Sequence, residues 1–189
     1  DNLDEVLRAV QVLTQGPFPQ LRAQSVTVST SGVLPGMVRF LSDSKASLAL
    51  SLNATTDEVR AQVMPQNKTW PISALLGALH DAAKVNPDRD TFVEYVLFKD
   101  LNDTDADADR LVAMLRGLPA RVNLIPYNPY PGTGLETPTA GRIVLAGTDL
   151  AGRRADIIAR AGIARTFQLV RILPTLSLEE NVMVPAMFG

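Results

Sequence analysis

Four short runs of β-branched and apolar residues alternate with stretches whose apolar residues recur every three or four positions. No other feature of these 189 residues constrains the fold as strongly. The runs are Ser25 to Thr30, Ser47 to Asn53, Thr91 to Phe98 and Arg121 to Pro126. Helical spacing precedes the first run, in Leu3, Val6, Leu7, Val10 and Leu13. It returns in Ile72, Leu75, Leu76, Leu79 and Ala83, and in Leu111, Val112, Met114 and Leu115. Asp57 and Glu58 open a further short helix, where carboxylates complement the dipole. Strands separated by helices predict βα units, a parallel sheet and the α/β class. Each run ends in polar residues: Ser29 and Ser31, Asn53 and Thr55, Lys99 and Asp100, Asn128. Ligands in parallel α/β folds bind outside the carboxyl ends of the strands, so that edge is the expected site.

Composition removes several kinds of chemistry. There is no cysteine, which rules out disulfides, thiolate nucleophiles and cysteine-held metals or clusters within these residues. The single histidine, His80, rules out multi-histidine centres. A net charge of −2 gives no bulk attraction to nucleic acid or anionic lipid. No apolar run reaches the roughly 18 residues of a membrane span. The acidic start at Asp1 is unlike a signal peptide, which predicts a cytoplasmic protein. The missing initiator Met predicts a piece of something longer.

Near residues 133–140 the texture changes. Tyr127 to Gly134 and the stretch to Gly141 are rich in Pro, Gly and Thr. Residues 1–137 hold 12 Lys/Arg and 16 Asp/Glu, whereas 138–189 hold 6 Arg and 4 Asp/Glu, so local charge moves from −4 to +2. A boundary is expected there, with one unit over 1–134, a junction over 135–140 and a second unit over 141–189.

Several motifs fail on their own spacing. Asp103, Asp105, Asp107 and Asp109 resemble the opening of a calcium loop, which needs Gly at its sixth position and Glu at its twelfth. From Asp103 those places hold Ala108 and Met114, and from Asp105 they hold Arg110 and Arg116. A helix start capped by Asn102 or Asp103 is the expected alternative. His80 has no nucleophile-elbow pattern to serve, and the sugar-acceptor triplets at Asn53, Asn67 and Asn102 are chance matches. Gly132-Thr133-Gly134 lacks the third glycine of a dinucleotide fingerprint. The hydroxyls and amides of Ser29-Thr30-Ser31-Gly32, Ser51-Leu52-Asn53-Ala54 and Asn128 suit a nucleoside-type ligand. They suit turns after strands equally well.

Five motifs in order carry a resemblance: Val26 to Pro35, Leu48 to Ala54, Val63 to Lys68, Val93 to Val96 and Asn123 to Gly132. Over about residues 1–134 the chain resembles the radical-SAM methyltransferases that act on carbon 2 of an adenosine in ribosomal and transfer RNA. The resemblance implies part of a (β/α) barrel, with S-adenosylmethionine contacts at Ser29, Ser51, Leu52, Asn53 and Asn128. It also implies a four-iron four-sulfur cluster and a methyl-carrying cysteine, for which this chain has no ligand or thiol. Position 53, usually His in the family, is Asn. No catalytic residue is therefore assigned, and the chain is expected to be catalytically incompetent, with weak or absent RNA binding. Open sheet edges are expected to favour self-association.

Gly141 to Leu150, Ile158 to Gln168, Arg171 to Pro174 and Leu178 to Met183 resemble instead an ABC-transporter ATPase of the branched-chain amino acid import type. That resemblance implies a small α/β fragment with Gln168 as its Q-loop, without the phosphate-cradling loop that nucleotide binding requires. The expected whole is a chimera of the two pieces.

Overall fold

The computed structural model describes residues 2–16, 20–138, 144–145 and 148–149. The chain divides into two compact units, Asp1–Thr139 and Ala140–Gly189.

In the first unit the predicted alternation becomes α1 (Leu3–Gln15), β1 (Thr27–Thr30), α2 (Leu34–Asp43), β2 (Ser47–Ser51), α3 (Asp57–Val63), α4 (Ile72–Val85), β3 (Thr91–Leu97), α5 (Asp105–Met114) and β4 (Ala120–Pro126). The four strands form one sheet in the order β1-β2-β3-β4, every pair parallel. A parallel sheet whose spatial order follows the chain, joined by right-handed crossovers, places every crossover on the same face. That is the winding of a barrel wall rather than of a doubly wound sheet.

The core agrees with this winding. Leu48, Leu50, Val93 and Tyr95 sit in register on one face and pack with Met37 and Phe40 of α2, Leu75 and Leu79 of α4 and Leu111 of α5. The alternate residues Ser29, Ala49, Ser51, Phe92, Glu94 and Asn123 point to the other face, and none belongs to that cluster. One face is hydrophobic and covered by helices; the other mixes small and polar residues with Phe92, Val96 and Ile125.

The sequence reading did not separate α2 from its surroundings. Leu34, Met37, Phe40 and Leu41 form its apolar stripe, but Pro35 and Gly36 break the local pattern. Pro35 lies in the first turn, where a missing N–H removes no helical bond. The cap of α5 also differs from expectation. Thr104 caps the helix, its Oγ1 accepting from Asp107 N at 3.2 Å, whereas Asn102 is buried and bonded elsewhere.

At the amino ends of the strands, Arg89 is buried and donates from Nη1 to Ala46 O at 2.8 Å. Its Nη2 donates to Leu41 O at 2.8 Å and to Ser44 O, satisfying carbonyls that α2 leaves open at its end. In the second unit, Val144–Leu145 pairs antiparallel with Thr148–Asp149.

Candidate functional site

The carboxyl ends of β1 and β2 are organised by a residue that periodicity did not single out. Arg60 on α3 is 0% exposed. Its Nε donates to Leu52 O at 2.9 Å, Nη2 to Ser31 O at 2.9 Å and to Ser51 O at 3.0 Å, and Nη1 to Asn67 Oδ1 at 2.9 Å. Burial pushes the guanidinium down from its ordinary range, partly offset by the charge of Asp57. Asp57 is tied to Arg60 through Asn67, whose Nδ2 donates to Asp57 Oδ1 at 2.9 Å. The sequence signal was present but unread: α3 carries a charge beside Val59 and Val63 where an inward apolar residue belongs.

Gly32 shows how close the packing is. Its φ is +95°, and a Cβ there would lie 2.8 Å from Leu75 Cδ1 and 3.1 Å from Arg60 Nη2. Glycine alone lets the β1 turn pass over the guanidinium.

A second network splints β2 to β3. Asn53 has φ 59° and accepts at Oδ1 from Val96 N at 2.9 Å, while its Nδ2 faces Met64 Sδ at 3.3 Å. Asn102 donates from Nδ2 to Asn53 O at 2.8 Å and to Val96 O at 2.7 Å, and accepts at Oδ1 from Phe98 N at 2.7 Å. Tyr95 donates its hydroxyl to Asn102 O at 2.9 Å, and burial raises its pKa. Asp107 closes the group, accepting from Thr55 Oγ1, Thr104 Oγ1 and Arg110 Nη2, each at 2.5 Å. Burial alone would raise the Asp107 pKa, but these hydrogen bonds outweigh it and hold the carboxylate below its ordinary value.

The expected contacts are thus placed as follows. Ser29 is exposed and Ser51 half-buried, both on the polar face at the carboxyl ends. Leu52 is fully buried, its N–H bonded to Glu94 O and its carbonyl to Arg60. The side chain of Asn53 is occupied by the splint. Asn128 is exposed just beyond β4. The outer strands β1 and β4 stand roughly 14 Å apart, three spacings of about 4.8 Å. The residues therefore share one edge and are spread along it.

Residues 127–137 form a clasped loop over the β4 end. Thr137 Oγ1 donates to Tyr127 O at 2.7 Å, Lys99 N to Glu136 O at 3.1 Å, and Lys99 Nζ pairs with Glu136 Oε2 at 2.7 Å. A compact excursion with closed ends is an Ω-type loop.

Other candidates fall away. Asn67 and Asn102 are buried, so neither triplet is presented for modification. Half-buried His80 lies in the later part of α4. Among the described residues no cluster of three or more His, Cys, Asp or Glu could hold a metal, and no helix is long and apolar enough to cross a membrane. With no cysteine in the sequence, a four-iron cluster does not fit the residues present. A cleft of about 700 Å³ lies at the opposite end of the strands, beside α1 and α2. Arg39 there is paired with Asp4 at 2.6 Å and Asp43 at 3.3 Å. Gln168 and the ATPase-like stretch lie outside the described residues, apart from the two short strands at 144–149.

No protein-family model matches the chain. The dual-specificity RNA methyltransferase RlmN of Jannaschia sp. (strain CCS1) is 42% identical over 171 residues, covering 90% of this chain and 41% of the relative. RlmN of Methylocella silvestris is 45% identical over 135 residues, 71% of this chain and 34% of the relative. A crystal structure of a radical SAM methyltransferase from Sphaerobacter thermophilus superposes with a TM-score of 0.68 at 36% identity, covering 73% of this chain and 40% of that one. The chain spans about two fifths of the length of the first of these relatives. A 171-residue match continues past residue 134, so the comparisons lend no support to an ATPase-like second piece or to a chimera. The parallel sheet that carries the candidate site has its counterpart in a radical-SAM methyltransferase, and over about nine tenths of its length the chain is homologous to the RlmN RNA methyltransferases.

Proposed function

We propose that this chain forms the S-adenosylmethionine-binding wall of an RNA methyltransferase of the radical-SAM type, binding the nucleoside along the polar face at the carboxyl ends of β1–β4. The observation that carries the reading is the winding: the core residues of α1, α2, α4 and α5 pack on one side, leaving a second face whose polar groups include Ser29 and Ser51 at the carboxyl ends. Such a face accommodates a ligand without displacing core side chains. Ser29 and Ser51 offer hydroxyls to a ribose or a carboxylate, and Asn128 offers an amide at the far end of the same edge. Leu52 and Asn53 act from behind, fixing the backbone on which those groups stand.

S-adenosylmethionine supplies an activated methyl group, and radical use of it requires an electron from a cluster. These residues provide neither cluster ligands nor a cysteine to carry a methyl group. Binding without turnover is therefore the behaviour proposed for the chain alone, and adenosine carbon 2 in ribosomal or transfer RNA is the proposed acceptor of the complete chemistry. Calorimetric titration with S-adenosylhomocysteine tests this: saturable heat with one site per chain supports it, and no heat overturns it.

A further inference from the structure

We infer that Arg60 is the positioning residue of this nucleoside site: a buried cation whose fork fixes the strand-end backbone that presents Ser29 and Ser51 to the ligand. The inference rests on the binding reading above and goes beyond it by assigning a role to a residue that never reaches the polar face.

The geometry requires something at this place. Where β1 and β2 end, the ladder ends with them; without Arg60 the carbonyls of Ser51 and Leu52 would be left to water or to the ligand, and that of Ser31 to Gln66 Nε2, which donates to it at 3.2 Å. Arg60 takes all three, across two strands, at 2.9–3.0 Å. One rigid, planar group therefore links the two turns just beyond the last pair of their ladder, a three-carbonyl grip that a lysine with a single ammonium cannot reproduce. The fork is itself held in place. Asn67 Oδ1 accepts from Nη1, Asn67 is gripped by Asp57, and Asp57 Oδ1 also accepts from Ile72 N at 2.9 Å, so α3 and α4 both brace it. Gly32 lets the β1 turn approach the guanidinium closely, since a Cβ there would lie 3.1 Å from Nη2. Because the three carbonyls are already satisfied from beneath, the edge offers the ligand chiefly hydroxyls, a pattern suited to acceptor groups such as a ribose oxygen or a carboxylate.

A residue that only supported stability would change affinity in proportion to folding. A positioning residue changes affinity while the fold persists. The test compares Arg60→Lys with Leu79→Ala, a core substitution on α4 that touches neither turn, in the full 189-residue chain. Melting temperature and S-adenosylhomocysteine affinity are measured on each. R60K is expected to weaken binding at least tenfold, and L79A to lower the melting temperature without changing affinity. Equal affinity in R60K and the unsubstituted chain overturns the proposal, as does a loss in L79A matching that of R60K. If R60K does not fold, Asn67→Ala takes its place, since it releases one side of the fork and keeps the charge; severalfold weaker binding supports the proposal and unchanged binding overturns it. Absence of binding in the unsubstituted chain is a separate result, which removes the nucleoside reading itself.

Discussion

At the scale of single residues, the two buried arginines share one logic. Each satisfies carbonyls that secondary structure leaves open, Arg89 at the amino ends of the strands and Arg60 at the carboxyl ends. Gly32 is the residue most sensitive to change beside Arg60. Gly32→Ala forces a Cβ into a left-handed backbone and against Leu75, and is expected to lower stability by about 1–3 kcal/mol in denaturant unfolding. Asp107 makes an acid-sensitive contribution. Its folded pKa lies below the unfolded value of about 3.9, so its contribution is complete above roughly pH 5 and is lost as pH falls through the folded pKa. Asp107→Asn should therefore lose stability at neutral pH and show a flatter decline between about pH 5 and 3 than the unsubstituted chain. A steeper decline in the variant would contradict the assignment.

At the scale of elements, an inner and an outer strand of the same sheet face make opposite predictions. Leu50 is fully buried beneath the helices, and Leu50→Ala is expected to cost about 2–5 kcal/mol. Leu124 is on the same face but on outer β4, 57% exposed, and Leu124→Ala should change stability by no more than about 0.5 kcal/mol. Comparable losses at both would mean that the core is not where the register places it. The strands and most helices were legible because apolar spacing reports burial directly. β2 reads as Leu48-Ala49-Leu50, and α4 repeats Leu75, Leu76 and Leu79. What was not legible depends on contacts between residues distant in sequence. Arg60 meets Ser31 across 29 positions and Thr55 meets Asp107 across 52, and no local pattern encodes either. The edge that carries the site followed from the fold class, whereas the engagement of Asn53 and Leu52 within the protein needed coordinates. Pro and Gly mark turns in the loop over 127–137 without saying whether its ends are tied, and that needed coordinates.

At the scale of the whole molecule, the proposed binding edge follows from a singly wound sheet in a chain with no cysteine and a single histidine. Core residues of the helices pack on one face, and the opposite face carries polar groups from Ser29 on β1 to Asn123 on β4, where Asn123 Nδ2 donates to Glu94 Oε2 at 2.8 Å. On the proposed reading recognition and chemistry are separable: the sheet would supply a surface for the nucleoside, a cluster whose cysteine ligands these residues lack would supply the electron, and a further cysteine would carry the methyl group. Incubation of the chain with S-adenosylmethionine, a reductant and transfer RNA should accordingly yield no 2-methyladenosine by mass spectrometry of the digested RNA. The central claim concerns where the nucleoside lies. Titrating S-adenosylhomocysteine into the ¹⁵N-labelled chain and following the amide shifts tests it most directly. Shifts concentrated at residues 29–32, 51–54 and 127–129 are predicted, and shifts confined to the α1–α2 cleft, or none at all, would contradict it.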